Sequence, residues 1–155
     1  MKIIVKYYHI KDLIEYYSNI TGWNLGIDII TLDRVRQIRN ACAHGNCIIN
    51  DLNHNNGVNS TVVSRTPLFL ANFLISAGIK QSARHNKMSN PRINQIVHLL
   101  YVFDKMVVTK NTRSKRLAEI HNMIDNRLQT NSSYFTSNQL LSTTYQFFKK
   151  ICANI

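Results

Sequence analysis

Apolar residues recur at three- and four-residue steps along almost the whole chain, the spacing that gathers side chains onto one face of an α-helix. Ile10, Leu13, Ile14 and Tyr17 begin the pattern, and Asn19 to Gly26 interrupts it. Thr31 or Asp33 can cap a second helix whose apolar face includes Val35, Ile38 and Cys42. Gly45 ends it, as Gly does just past a helix C-terminus. The polar segment INDLNHNNGVNSTVVSR follows, long for a loop, with a weak strand signal at Val62 and Val63. Pro67 suits the first turn of a third helix, and Leu68 to Ala77 is apolar on nearly all sides, which predicts a central element. Asn90-Pro91 opens a fourth, striped by Ile93, Ile96, Val97, Leu100, Phe103 and Val107. Thr112 can cap a fifth, with Leu117, Ile120, Ile124 and Leu128 inward and Arg113, Lys115, Arg116 and Glu119 towards water. Thr136 or Ser137 starts the last, with Leu141, Tyr145, Phe148 and Cys152 inward. No repeat or linker divides the chain. The expectation is one all-α domain over residues 1–155, an antiparallel bundle of about six helices.

Charge narrows the class of partner. Nineteen Lys and Arg stand against eight Asp and Glu, for a net charge of +11 on 155 residues. Such a field favours polyanions, RNA and DNA foremost, with an anionic membrane surface as the alternative. No stretch is long and apolar enough for a transmembrane helix; PLFLANFLISAG comes nearest but is short and carries Asn72. The N-terminus lacks the apolar core and small-residue cleavage site of a secretory signal. Three Cys, Cys42, Cys47 and Cys152, are an odd number and fit reduced thiols better than a disulfide framework. The expected location is therefore the cytoplasm, away from membranes.

The stretch QIRNACAHGNC, residues 37 to 47, concentrates the candidate chemistry. Cys42, His44 and Cys47, with His54 as a fourth group, suggest zinc. Structural zinc draws on two short paired clusters, and the second is missing, so no metal is expected. A Cys42–His44 nucleophile fails on geometry, because residues two apart on a helix do not face each other. The five Gly do not cluster into a phosphate-cradling loop, so no nucleotide cofactor is expected either.

What remains is Arg39-Asn40-Ala41-Cys42-Ala43-His44, an Arg and a His separated by four residues. The spacing alone is weak, since RLAEIH (Arg116 to His121) repeats it and RINQIVH (Arg92 to His98) is one residue longer. The first copy differs in having Asn40 after the Arg, a residue that shares a helix face with His44, and Gly45 after the His. The other two copies read as surface residues of amphipathic helices.

The wider stretch LDRVRQIRNACAHGNCIINDL resembles the C-terminal part of the abortive-infection (Abi) family of the AbiD/AbiF type, within the HEPN superfamily. There an R-N-x-x-A-H element follows an amphipathic helix. The similarity covers Leu32 to Leu52, and members of the family are usually longer, with another helical region before this part. The chain is then a short form or a fragment. The resemblance implies a HEPN-like helical fold and a toxin-like, metal-independent endoribonuclease serving phage defence. It further implies a homodimer whose two motifs form one composite site, and an antitoxin or second helical half as partner. Carried over to this chain, the catalytic residues are Arg39, Asn40 and His44. Basic residues that could guide RNA are Arg34 and Arg36 beside the motif, Lys80, Arg84, Lys87 and Arg92 in KQSARHNKMSNPR, and Lys110, Arg113, Lys115 and Arg116 in KNTRSKR. Tyr7, Tyr8, Tyr16 and Tyr17 could stack bases but equally fit a core or interface. The alternative is a non-catalytic RNA-binding or regulatory module of the same fold.

Overall fold

The computed structural model describes residues 26–45, 66–127 and 137–155, together with Asp12, Glu15, Tyr16, Asn19, Leu52, Thr130 and Ser133. Six α-helices lie among them: α1 (Ile29–Ala43), α2 (Leu68–Ser76), α3 (Gln81–Met88), α4 (Pro91–Met106), α5 (Lys110–Asn122) and α6 (Gln139–Cys152). A π-helical turn, Met123–Arg127, prolongs α5. No strand occurs among the described residues. The fold is an all-α bundle. The expected first helix falls largely outside the described residues, as do the polar segment and its strand signal; Leu52 from that segment is buried.

The helix boundaries follow side-chain capping. Asp28, not Thr31 or Asp33, caps α1, its Oδ1 accepting the Thr31 N–H at 2.7 Å. Asn90 caps α4 by accepting from the N–H groups of Arg92 and Ile93, with Pro91 at the first helical position. Asn138 does the same for α6 through Leu140 and Leu141, one and two residues beyond the expected Ser137 and Thr136. Thr109 precedes α5, so Thr112 lies inside that helix. Pro67 stands one position before α2 and turns the chain into it. Gly45 ends α1 at φ +65°, a left-handed conformation that a Cβ would strain.

The central element is α4 rather than α2. Eight of its side chains are buried: Ile93, Asn94, Gln95, Val97, His98, Leu100, Tyr101 and Val102. That spread covers most of the helix circumference, because α1, α2 and α3 all pack around it. α2 turns Leu70, Phe73 and Leu74 inward and leaves Leu68 (77%) and Ile75 (53%) exposed. In this nearly all-apolar helix the two polar residues, Asn72 and Ser76, are four apart and exposed, and they mark its outward side. Helix α3 is polar apart from Ala83 and the buried Met88, and its apolar spacing carries no signal at all. The buried face of α6 is Thr144, Phe147, Ile151 and Cys152, with Leu141, Tyr145 and Phe148 at its half-buried margin.

Arg113, expected towards water, is half-buried. It donates to Asp104 Oδ1 at 2.6 Å and to the carbonyls of Asp104 and Val107, both at 3.1 Å. The last carbonyls of α4 thereby gain a cationic donor, and the α4–α5 corner is fixed.

His98 corrects a second expectation, since it is buried (2%) and not a surface residue. Its Nδ1–H donates to the Asn94 carbonyl at 2.8 Å, leaving Nε2 as a buried acceptor with no partner among the described residues. Thr31 Oγ1 on α1 is likewise buried with no partner among the described residues. Burial chiefly lowers the His98 pKa below 6.5; the Asn94 carbonyl raises it, Arg34 lowers it and Asp28 raises it. A depressed folded-state value means that the unfolded chain takes up the proton first. Stability contributed by His98 is thus full above pH 6.5 and falls as the pH drops through the folded-state value. Urea midpoints from pH 7.5 to pH 5 are expected to decline, and His98→Leu should flatten that decline.

Candidate functional site

Helix α1 carries the Arg–Asn–His motif, and its seat on α4 decides where the motif points. The two helices run antiparallel. Tyr101 Oη donates to the Gly26 carbonyl at 3.3 Å, and Gln95 Nε2 donates to Gln37 Oε1 at 2.6 Å, so positions rise along α1 as they fall along α4. The end of α1 that bears Arg39, Asn40 and His44 therefore lies towards the N-terminal end of α4, where Arg92 sits. Thr31, Ile38 and Ala41 form the buried stripe of α1, flanked by half-buried Leu32 and Val35. Cys42 was expected on this stripe. It is exposed, because one residue past Ala41 the helix has turned by about 100°.

Arg39 and His44 are exposed and Asn40 is half-buried. His44 is the C-cap: its backbone N–H donates to the Asn40 carbonyl at 3.0 Å, and its side chain is free of the helix hydrogen-bond ladder. Among the described residues none of the three side chains makes a hydrogen bond or ion pair. The motif is thus a solvent-facing group of one fixed cation, one amide and one imidazole on a helix end with a solid base. Within one chain it holds a single His. Cys47 and His54 lie outside the described residues, and no group of three or more His, Cys, Asp or Glu among the described residues is placed to hold a metal ion.

A polar seam missing from the sequence reading anchors this helix. Arg36 donates twice to Asp33, through Nε at 3.0 Å and through the terminal nitrogen at 2.6 Å, while Gln37 Nε2 donates to the other Asp33 oxygen at 2.6 Å. Gln95 from α4 donates to Gln37 and accepts from Arg92 at 3.2 Å. Arg34 approaches the same Gln37 oxygen at 3.5 Å. Asp33, Gln37, Asn40 and His44 follow one another at steps of four, three and four, so the seam and the motif occupy one helical face. That spacing was available in the sequence; the partner Gln95, 58 residues away, was not. Gln95 is buried, and replacing it by Ala strands Gln37 and Arg92. Gln95→Ala should cost about 1–3 kcal/mol, read as a lowered urea midpoint.

The ten basic residues proposed as RNA contacts divide by commitment. Lys80, Lys110 and Lys115 are exposed and make no side-chain bond among the described residues. Arg34, Arg36 and Arg92 belong to the seam. Arg84 donates to the Ile79 carbonyl at 2.6 Å, Lys87 to the Thr143 and Thr144 hydroxyls at 2.8 Å each, and Arg116 to Glu119 at 2.8 Å. Arg113 is the corner residue already described. Lys110, Arg113, Lys115 and Arg116 crowd the first two turns of α5 without an acidic residue in its first turn. Cations there oppose the helix dipole; Asp104 and Glu119 compensate Arg113 and Arg116, and Lys110 and Lys115 have no ion pair among the described residues. Tyr16 is exposed; Tyr7, Tyr8 and Tyr17 lie outside the described residues.

Fold and site together define an all-helical protein with an outward Arg–Asn–His group at one helix end, and no described helix is long and apolar enough to cross a membrane. No family model, curated protein or solved structure matches the chain.

Proposed function

We propose that the protein is a metal-independent endoribonuclease of the HEPN type, acting as a homodimer in which two copies of the motif share one RNA phosphate. The observation that carries the reading is the uncommitted state of Arg39, Asn40 and His44 at the exposed end of α1, while nearly every other Arg nearby is held in a structural bond. A purely structural motif would be spent on its own fold.

The chemistry uses these groups directly. The ribose 2′-OH attacks the neighbouring phosphorus, the new P–O2′ bond forms and the P–O5′ bond breaks. The 2′ proton passes to one imidazole and the leaving 5′ oxygen takes a proton from the other, so the two His44 side chains of a dimer serve as base and acid. Arg39 binds the non-bridging oxygens and stabilises the charge of the pentavalent state. Asn40, on the His44 face of the helix, orients the ring or the RNA backbone. The products are a 2′,3′-cyclic phosphate and a 5′-OH. Exposed Lys80, Lys110 and Lys115 supply longer-range attraction, and a cytoplasmic role in abortive infection, with an antitoxin or second helical half as regulator, follows from the family resemblance. Incubating the protein with single-stranded RNA in EDTA tests the reading; salt-sensitive binding without cleavage would identify a binding module instead.

A further inference from the structure

A cleft of about 290 Å³ opens between α3 and α6, at the small end of the range of ligand pockets. Its floor is apolar, made by the buried Ile79 and Phe147 with Ala83. Its walls carry three lysines, Lys80, Lys87 and Lys150, with Ser82, Ser142, Thr143 and Gln146, and no carboxylate among the described residues lines it. We propose that this cleft binds a small organic phosphate, a phosphate group carried on a flat, partly apolar body such as a nucleotide. It lies on elements that carry no part of the Arg39–His44 motif, and the proposal does not depend on the ribonuclease reading.

Three observations point to an anion. Lys87 is half-buried, and its Nζ donates only to two hydroxyls, Thr143 and Thr144 Oγ1, so no described negative charge compensates it. An ammonium has three donors, and two are used. Removing a cation from water without a counter-ion is costly, and burial lowers the Lys87 pKa from its ordinary 10.5. An arriving phosphate would supply the missing charge. Second, Lys80 and Lys150 make no ion pair among the described residues and stand at the same rim. Third, α3 begins without a side-chain cap, which leaves first-turn N–H groups beside Ser82 to donate to an oxyanion. The apolar floor argues against a bare inorganic ion, since Phe147, Ile79 and Ala83 offer contact to a base or similar ring and none to phosphate.

The experiment is calorimetric titration of the full chain, in a His44→Ala background so that RNA stays intact, with AMP, adenosine, inorganic phosphate and a short single-stranded RNA bearing a 5′-phosphate. AMP should bind saturably, and adenosine and inorganic phosphate at least tenfold more weakly. Lys150→Glu, at an exposed position, should weaken AMP at least tenfold, and Lys87→Met should do the same; unchanged melting of the Lys150→Glu protein shows that the fold is intact. Stronger binding of the 5′-phosphorylated RNA than of AMP would name an RNA end as the source of the phosphate, and the reverse a free nucleotide. No saturable AMP binding, equal binding of adenosine or inorganic phosphate, or an affinity untouched by Lys150→Glu would overturn the proposal. Because the readout is binding, its failure is distinct from a failure to cleave RNA.

Discussion

His44→Ala is expected to lower the rate of RNA cleavage by about 10²- to 10⁴-fold, the scale of general acid–base catalysis, with little change in stability. The exposed side chain of His44 makes no bond among the described residues, so its removal leaves the core as it was. A surface substitution of this kind usually changes stability by about 0.5 kcal/mol or less. The separation of the two effects is itself informative: a large loss of activity with an unchanged melting temperature belongs to a chemical group, not to a structural one. Arg39→Ala should show the same separation. Arg39→Lys keeps the charge but loses the planar fork that grips two phosphate oxygens, so it should fall between wild type and Arg39→Ala. Rates measured on one defined RNA at saturating concentration, beside thermal melts of each variant, check the set. Normal cleavage by His44→Ala would remove the imidazole from the mechanism.

Leu70→Ala and Leu68→Ala should differ sharply although the residues are two apart in the same apolar run. Leu70 has no exposed surface and packs in the core with Phe73, Leu74 and Val97. Truncating it removes apolar contacts and leaves a cavity, costing about 2–5 kcal/mol. For a domain of this size that is a large share of the total stability, about 5–15 kcal/mol. Leu68 faces water, and its truncation should fall within about 0.5 kcal/mol of zero. Equilibrium urea unfolding of both variants checks the contrast. Equal costs would mean that α2 is buried on both sides.

The same helix shows where sequence periodicity stops. On α4 the apolar stripe and the capping Asn90 are both visible in the sequence; on α6 the apolar spacing marks the helix, but its cap is Asn138 rather than Thr136 or Ser137. On α2 seven of the nine positions are apolar, so only the pair Asn72 and Ser76, four residues apart, marks the outward side. On α3 the sequence QSARHNKM is almost wholly polar, and its helix is held by Met88, Ala83 and the preceding Ile79 rather than by a stripe. Those are tertiary effects, and spacing cannot encode them. The placement of the motif was legible in part. Gly45 marked the helix end, and positions 39, 40 and 44 lie on the last turns as expected. Cys42 lies one residue of helical rotation beyond the buried stripe that ends at Ala41. The seam through Gln37 and Gln95 depends on two elements meeting, which explains its absence from a one-dimensional reading. Arg113 failed for a related reason: a cation at the start of one helix found the open carbonyls at the end of the previous one.

The most direct measurement is the chemistry of the cut ends. Purified protein is incubated with a single-stranded RNA in EDTA, alongside the same RNA with 2′-deoxyribose at each mapped cleavage position. Cleavage is expected without metal, with products ending in a 2′,3′-cyclic phosphate and a 5′-OH, and with no cut at the deoxy positions. Cleavage that continues at the deoxy positions, or that leaves 5′-phosphates, would contradict it, because attack by the 2′-OH would then not be the reaction.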